Sequence, residues 1–452
     1  MDNRKITIIG AGITGLTAGY LAALKGWDVT ILERSAEAGG LLRTFPIGGA
    51  RLECFYHHFF THDMELLWLL DRLGLSREAK FHESTMGVRC DGRTYDFNTP
   101  RDLLRFSPLD WSGKFRFAAS ALYLGRFADW RKYEGISAME WFSRYTGANV
   151  TRTIWAPMLR IKFGSWAEEV PAAWMVGRLR QRATSRKGGR EYLGYLKGSS
   201  QILTDGLVES LNRMHAKVLT NVDIAEVIAD RGTVKSIVTN TGEFREGIFL
   251  ATIPMDHLAN LLQKADPAYS ASLRRVDYFG AACVILELTE PLSSVYWLNV
   301  ADPGFPFGGV IEHTNLIRAS EYQNSHIVYL SRYYETNDPL AAMNEGDLIS
   351  YMTSALKRIY PNFSDAILKN AFVFRSNTAA TVCDRYFSSK VPACASPLRN
   401  LFLANMAHVY PDERSINNSI RVAAEACRVM GIDDAGIPKG HSLSGLLGFE
   451  ND

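Results

Sequence analysis

The sequence predicts an α/β protein, and three features of the chain lead to that class. Near the start, an apolar β-branched run enters a glycine-rich turn, and a helix-compatible segment and a second apolar run follow. Residues 100–182 have helical periodicity and are rich in Leu, Ala, Trp, Phe and Arg. Residues 278–373 alternate between apolar and polar side chains, as antiparallel strands do. A β-α-β unit, a helical insertion and an antiparallel sheet are therefore expected.

The glycine-rich turn has the spacing G-x-G-x-x-G that is typical of a dinucleotide-binding β-α-β unit. Gly10 permits the tight turn, Gly12 lets backbone N–H groups approach a pyrophosphate, and Gly15 lets the helix pack closely against the strand. The helix N-terminus, with its partial positive charge, then faces the phosphates. Glu33 ends the second apolar run, where a carboxylate accepts hydrogen bonds from ribose hydroxyls and disfavours the 2′-phosphate of NADP. The alternative is an ordinary strand-to-helix turn.

A second glycine pair lies a few residues beyond Glu33, in the run Gly-Gly-Leu-Leu-Arg-Thr that starts at Gly39. This run resembles the second FAD-contacting loop of the flavin amine oxidase superfamily, which includes protoporphyrinogen oxidase, phytoene desaturase and UDP-galactopyranose mutase. The resemblance implies that the cofactor is FAD and that the backbone near Gly39 and Gly40 approaches its phosphates. It also implies that Arg43 lies near the pyrophosphate or the flavin. A flexible turn with a solvated arginine is the alternative.

The same resemblance covers nearly the whole chain and implies a Rossmann-type FAD-binding domain assembled from three discontinuous segments. An α+β substrate domain, with an antiparallel sheet and a helical cap, accompanies it. The expected boundaries are FAD-binding segments at 1–90, 198–265 and 396–435, a helical cap at 91–197, an antiparallel sheet at 266–395 and a tail at 436–452.

Each later FAD segment carries an implied contact. The Ile224 backbone is expected beside the adenine, with a shift of two residues left open, and the helix from about Ser415 is expected to point at the flavin pyrimidine. Many relatives carry an acid in the last strand, and Asn405 is expected to take its place, since an amide both donates and accepts. The predicted cofactor-binding residues are Gly10, Gly12, Thr14, Gly15, Glu33, Arg34, Gly39, Gly40, Leu41, Arg43, Ile224, Asn405 and Ile416.

Two polar clusters are candidates for the chemistry. His57 and His58 lie in an aromatic-rich run. A His-containing segment is similarly placed in UDP-galactopyranose mutases. Because imidazole titrates near neutrality, either histidine could exchange protons with the substrate or the flavin. A structural histidine pair is the alternative. Glu312 and His313 end a strand that begins with a glycine pair, and they are expected to line the substrate cavity unless that strand ends in a solvated turn.

Two further side chains and one basic run are also considered as functional candidates. Tyr386 is the candidate for an aromatic beside the flavin, with core packing as the alternative. Lys162 is considered because some flavin oxidases use a buried lysine near N5, although its position in the chain does not match that lysine. The basic run from Arg178 to Arg190 is either a solvated loop or an attraction for a phosphorylated substrate or an anionic membrane.

Composition limits the partners. The chain has 452 residues, 47% of them hydrophobic, and a net charge of +2, which argues against a general nucleic-acid binder. Six dispersed cysteines without a C-x-x-C pair predict no metal site and a reducing compartment.

The first apolar run is the nucleotide-binding strand rather than a signal peptide, so a cytoplasmic location is expected. Segment 111–127 mixes aromatics and cations and predicts either peripheral membrane contact or a core-facing helix. The oligomeric state stays open.

The predicted activity follows from the cofactor. An FAD-dependent oxidoreductase would move a hydride between flavin N5 and a partly apolar small molecule, such as an isoprenoid, a lipid-linked compound or a ring compound. A redox-neutral sugar-nucleotide mutase like UDP-galactopyranose mutase is one alternative. A protein that binds FAD without catalysis is the other.

Overall fold

The structure is a computed structural model that describes residues 4–184, 186, 187, 189–245, 247–433 and 435–438. The strands are, in chain order, β1 (Lys5–Ile9), β2 (Asp28–Leu32), β3 (Thr44–Ile47), β4 (Ala50–Glu53), β5 (Phe59–Phe60), β6 (Ala79–Glu83), β7 (Met86–Cys90), β8 (Arg93–Asp96), β9 (Arg186–Lys187), β10 (Arg190–Leu196), β11 (Lys217–Leu219), β12 (Ile224–Asp230), β13 (Thr233–Thr239), β14 (Gly242–Arg245), β15 (Ile248–Ala251), β16 (Tyr278–Leu288), β17 (Trp297–Val300), β18 (Gly309–Glu312), β19 (His326–Tyr334), β20 (Leu368–Thr381) and β21 (Leu401–Leu403). The helices are α1 (Ile13–Leu24), α2 (Met64–Arg72), α3 (Pro100–Arg105), α4 (Trp111–Arg126), α5 (Ala138–Thr146), α6 (Ala148–Val150), α7 (Ala156–Phe163), α8 (Ala172–Thr184), α9 (Gln201–Arg213), α10 (Met255–Leu262), α11 (Pro267–Leu273), α12 (Glu345–Lys357) and α13 (Ile416–Val429).

A parallel five-stranded sheet forms the centre of the cofactor-binding half. Its order is β11-β2-β1-β15-β21, so strands from three separate stretches of the chain lie side by side. Ile6 and Ile8 of β1 and Val29 and Ile31 of β2 pack in one cluster with helices α1, α2, α9 and α13, whereas Ile9 and Leu32 belong to a second cluster. Strands buried on both faces read as continuous apolar runs, which is why β1 and β2 were recognisable in the sequence. The predicted α/β class is confirmed.

A mixed seven-stranded sheet forms the second half, in the order β20-β16-β19-β18-β17-β7-β8. Strand β16 is buried along nearly its whole length between β19 and β20, both antiparallel to it. Strands β7 and β8 lie on either side of the expected boundary at residue 90, yet they pair with each other and β7 joins this sheet parallel to β17.

The predicted helical segment consists of α3 to α8, with a π-helical turn at Thr151–Trp155 before α7. Helix α4 packs on α8 so closely that a Cβ on Gly125 would lie 3.2 Å from the Leu179 carbonyl oxygen. Within the described ranges, no helix combines the length and the apolar character that crossing a bilayer requires. The tail beyond residue 438 lies outside the described residues.

The six cysteines are all buried, and none of them forms a disulfide bond in the described structure. In the part of the chain that the structure describes, no group of three or more His, Cys, Asp or Glu side chains is arranged to hold a metal ion.

Candidate functional site

A cavity of about 740 Å³ lies where the parallel sheet, the mixed sheet and the helical cap meet. It is lined by the two glycine loops, by side chains of α7 and α8, by the 222–224 and 252–254 segments, by the mixed sheet and by the start of α13. Of the thirteen predicted cofactor-binding residues, twelve line this cavity and Gly15 does not. The cavity is therefore the candidate site.

The two glycine loops form a single floor. Gly39 donates its backbone N–H to the Ala11 carbonyl at 2.9 Å and pairs with Gly12 as an isolated parallel bridge. A Cβ on Gly40 would lie 3.2 Å from the Gly12 Cα, so backbone meets backbone there. In the described part of the chain, no atom outside its own helix and chain neighbours lies within 4 Å of the position that a Cβ on Gly12 would take. We call this backbone surface of Gly12, Gly39 and Gly40 the glycine cradle. A side chain at residue 12 would fill it, and its open backbone fits a cofactor pyrophosphate.

Gly15 acts in packing rather than at the cavity wall. A Cβ on Gly15 would lie 2.0 Å from the Gly10 carbonyl oxygen, a distance that only the absence of a side chain permits. Gly10 itself has φ +102°, which favours glycine. The two residues together set the close approach of α1 to β1, and α1 begins with its N-terminus at the cradle.

Glu33 connects the predicted ribose position to the glycine turn. One carboxylate oxygen accepts the Ala11 N–H at 2.9 Å, and the other accepts the Ser35 N–H at 2.8 Å. Each oxygen keeps a second acceptor direction for a hydroxyl group. Glu33 thus also fixes the turn, a role that its spacing in the sequence did not reveal.

The middle segment approaches the cofactor side at three consecutive residues. Val222, Asp223 and Ile224 all line the cavity. The Val222 N–H donates to the Glu33 carbonyl oxygen at 2.9 Å. The Glu33 N–H in turn donates to the Leu219 carbonyl at 2.8 Å, so the middle segment is hydrogen-bonded to the predicted ribose acid before it reaches Ile224.

The third segment places Asn405 and the start of α13 on the cavity. The Asn405 amide donates to the Ile253 carbonyl at 2.8 Å, and its oxygen accepts the Ala407 N–H at 3.1 Å. Asn405 thereby braces two loops, and its amide has one further N–H and one further acceptor direction. Helix α13 begins at Ile416, with the Ser415 hydroxyl accepting the Asn418 N–H at 3.0 Å, and its N-terminus lies at the cavity.

His57 and His58 line the cavity, but the structure differs from the expectation that they titrate near neutrality. Burial and the nearby Arg414 guanidinium lower the pKa of His57 to about 3, and burial and Arg182 lower the pKa of His58 to about 3. The His57 Nδ1 lies 2.6 Å from the Phe55 carbonyl, which only accepts, so Nδ1 carries the proton and Nε2 is an acceptor. Both rings are neutral at physiological pH and cannot act as imidazolium acids.

This ionisation state can be measured directly. We expect the ring proton NMR shifts of His57 and His58 to stay constant between pH 5 and 8, because the folded protein excludes the charged form. In urea both rings should titrate near the ordinary value of 6.5. Since the unfolded chain binds protons that the folded chain does not, these histidines should lower stability as the pH falls from 6.5. A folded-state titration midpoint between 6 and 7, assigned with His57→Gln and His58→Gln, would contradict this.

A charge cluster forms the cap side of the cavity. Glu413 accepts hydrogen bonds from Lys162, at 2.6 Å, and from Arg178. Burial opposes ionisation of Glu413, but Arg178 and Lys162 outweigh it and hold the pKa of its carboxyl well below the ordinary value. Both cations also contact Trp174, with Lys162 Nζ 4.5 Å from the ring centroid.

A third cation, Arg414, lies against an aromatic wall. Its guanidinium donates to the Tyr333 hydroxyl at 2.6 Å. Burial raises the pKa of Tyr333, but Arg414 and Lys162 outweigh it and lower that pKa overall. Tyr56 and Trp297 meet edge to face, with ring centroids 4.8 Å apart. Both rings and Tyr333 line the cavity.

Sequence reasoning missed most of this cluster. Lys162 was set aside because of its chain position, and Arg178 was left between a solvated loop and an anion site; the structure places both on helices at the cavity wall. Glu413 and Arg414 gave no signal beyond being charged residues just before the last helix. They meet the cap only in the folded chain.

Three predicted catalytic residues do not line the cavity. Glu312 is buried, and its carboxylate accepts the N–H groups of Leu292 and Ser293, each at 2.9 Å. His313 is buried with Nε2 2.7 Å from the Tyr322 hydroxyl. These two side chains therefore hold neighbouring segments together, and β18 reaches the cavity instead through Gly309.

Tyr386 is the third. Its side chain is 61% exposed, and its hydroxyl lies against Gly135 rather than at the cavity. Its backbone has φ +58°, where a short helical turn begins. The turn directs the ring to the surface and away from the cofactor side.

Comparison with known proteins agrees with this geometry. The family model described as flavin containing amine oxidoreductase matches residues 13–427. Protoporphyrinogen oxidase 2, chloroplastic/mitochondrial, of Arabidopsis thaliana is 24% identical over 343 residues, which are 68% of this chain and 61% of the plant protein. The chain thus matches less than two thirds of that relative's length.

Two solved structures show the same fold at low sequence identity. A candidate protoporphyrinogen oxidase from Exiguobacterium sp. 255-15 superposes with a TM-score of 0.77 at 15% identity, covering 95% of this chain and 99% of the other. Reduced UDP-galactopyranose mutase superposes with a TM-score of 0.71 at 17% identity, covering 96% and 98%.

Proposed function

Because the chain belongs to the flavin containing amine oxidoreductase family, we propose that it oxidises a partly apolar small molecule by hydride transfer to bound FAD. The predicted superfamily, the FAD cofactor and the assignment as an oxidoreductase are confirmed by that membership. The substrate and the direction of transfer are the new content of the proposal.

One observation carries the proposal. A single cavity joins the glycine cradle to a wall of Tyr56, Trp297 and Tyr333. When bound, FAD supplies the two-electron chemistry. The aromatic wall favours a flat or unsaturated hydrocarbon portion of a substrate, because rings of this kind bury apolar area and stack.

The charged residues of the cavity wall set its electrostatic potential. Lys162, Arg178 and Arg414 exceed Glu413 in charge on the cap side, and α13 adds the positive end of its dipole. This field favours negative charge in the cavity, whether on the substrate or on the reduced cofactor. His57 and His58, neutral at physiological pH, act as hydrogen-bonding groups and not as proton donors of the imidazolium type.

The test is anaerobic reduction of the holoprotein. We expect the oxidised flavin absorbance band to disappear on mixing with a substrate that has an oxidisable C–H bond next to an unsaturated or ring system. Protoporphyrinogen is the first probe, because the plant relative is named for it; isoprenoid and lipid-linked compounds follow. Reduction by dithionite is the control that the flavin is accessible. A flavin that dithionite bleaches and no compound of this class reduces would contradict the proposal.

A redox-neutral sugar-nucleotide mutase is the second candidate, favoured by the excess of cations on the cap side and by the likeness to reduced UDP-galactopyranose mutase. Such an enzyme would be active only with pre-reduced flavin, and its turnover would leave the flavin reduced. UDP-galactopyranose conversion by the dithionite-treated protein, with no net electron transfer, would favour this candidate over the oxidase.

A further inference from the structure

Helix α4 exposes an apolar stripe on the cap. Trp111, Phe115 and Leu122 are 71%, 75% and 61% exposed, and their spacing of four and seven residues places them on one face of the helix. Phe127, just after the helix, is 70% exposed, and Leu104 on α3 is 52% exposed. We call these five residues the α4 stripe.

The α4 stripe is not the face by which α4 packs on the rest of the protein. The opposite face of the helix makes those contacts. Gly113, Ser120 and Leu124 are buried on that side. Phe117 stacks on Trp155 with ring centroids 4.9 Å apart. The helix thus packs one face against the core, as one of the two alternatives predicted, and leaves the other face exposed.

Cations flank the stripe. Helix α4 carries Lys114, Arg116 and Arg126 and no acidic residue. The ammonium group of Lys114 lies 5.0 Å from the Trp111 ring centroid. Arg101 and Arg105 add positive charge on α3. An apolar stripe of Trp, Phe and Leu with Lys and Arg beside it is typical of helices that lie in the interface of an anionic bilayer.

We propose that the α4 stripe docks this protein on an anionic phospholipid membrane. The stripe supplies apolar area for the acyl-chain boundary, and the flanking cations attract the headgroups. A lipid surface is favoured over a protein partner because the stripe is a convex helix face on which the cations of α3 and α4 outnumber the neighbouring acids Asp102 and Asp110.

A second cleft connects the docking to catalysis. This step rests on the proposed oxidation of a partly apolar substrate. This cleft, of about 730 Å³, shares Ile161, Lys162, Gly308 and Tyr333 with the cofactor cavity. Its lining includes Pro108, three residues before Trp111. The cleft thus extends from the cofactor cavity to the segment that precedes α4, which makes it the proposed route for a substrate that leaves the bilayer at the α4 stripe.

The experiment is co-sedimentation of the full-length holoprotein with sucrose-loaded vesicles. The probes are vesicles of phosphatidylcholine alone and of phosphatidylcholine with 30% phosphatidylglycerol (about one anionic lipid in three). We expect binding to the anionic vesicles that weakens as NaCl is raised, and at least tenfold weaker binding of a Trp111→Ser, Phe115→Ser, Leu122→Ser triple variant. Because the three side chains are exposed, the variant should keep its flavin spectrum and melting temperature.

Controls separate the outcomes. Tyr351→Ser changes an exposed aromatic on α12, 49% exposed, and should bind vesicles like the parent. Equal sedimentation of parent and triple variant would overturn the proposal, as would a parent that stays in the supernatant with anionic vesicles. A parent that is dimeric without lipid and a monomeric triple variant would instead assign the stripe to a second copy, which also overturns it. Vesicle binding needs no substrate, so a failed flavin reduction would contradict the oxidation and leave the docking intact.

Discussion

A Gly12→Val variant is expected to fold like the parent and to purify without FAD. The backbone at residue 12 has φ −72° and ψ 175°, a conformation that valine adopts readily. Among the described residues, apart from its own helix and chain neighbours, no atom lies within 4 Å of the position that its Cβ would take, so the fold has room for the Cβ. It would occupy the floor between Gly12 and the second glycine loop, where the pyrophosphate is proposed to lie. The expected weakening is at least 100-fold in the dissociation constant of FAD, or about 2.7 kcal/mol.

The measurement pairs flavin content with stability. Absorbance at the flavin band gives cofactor per chain, and thermal unfolding of the apoproteins shows whether the fold is kept. Gly346→Ala is a matched control, since a Cβ there would have only an ordinary contact with Asn344 at 3.6 Å and lies outside the cavity lining. If Gly12→Val retains one flavin per chain, the phosphate position is not at this cradle.

A Glu413→Gln variant is expected to lose about 2–3 kcal/mol of unfolding free energy, because Lys162 and Arg178 would keep their charges in the cavity wall without a carboxylate. The side chains of the pair are each less than one fifth exposed, so solvent screens them little. By contrast, Glu168→Gln breaks the Arg160 pair, in which both side chains are more than half exposed, and should change stability by less than about 1 kcal/mol.

The pH dependence has a defined sign. The folded-state pKa of Glu413 lies below its ordinary value of 4.5, so its stabilisation is complete above pH 4.5 and is lost as the pH falls below that value. Urea unfolding of parent and Glu413→Gln should therefore differ most near neutrality and converge in acid. A Lys162→Met, Glu413→Gln double variant should recover part of the loss, because one unpaired cation is removed with the carboxylate. A double variant less stable than Glu413→Gln would show that the pairing is not the source of the effect.

The cofactor side was predictable from the chain because its requirements are local. Gly10 needs a positive φ, Gly15 has no room for a side chain, and both conditions concern backbone within a few residues. The same holds for Glu33, whose distance from the turn is set by one helix and one strand. Even there, the double role of Glu33 as acceptor for Ala11 and Ser35 became visible only with the turn folded beside it.

The substrate side was predicted less well because it depends on contacts between distant parts of the chain. Glu312 and His313 follow a strand end that looked suitable for a site, but neighbouring loops use their polar atoms. Lys162 and Glu413 are 251 residues apart, and no spacing rule connects them.

By itself, the sequence determined an α/β dinucleotide fold and the positions of its glycine loops, since backbone conformation and strand burial are encoded in contiguous residues, and its resemblance to the flavin amine oxidase superfamily implied FAD. Only the tertiary structure decided which charges face the cavity, which candidate acids and bases are used in packing, and which side of α4 meets solvent. Those outcomes depend on which surfaces are buried against each other, and burial is a property of the whole folded chain rather than of any one segment.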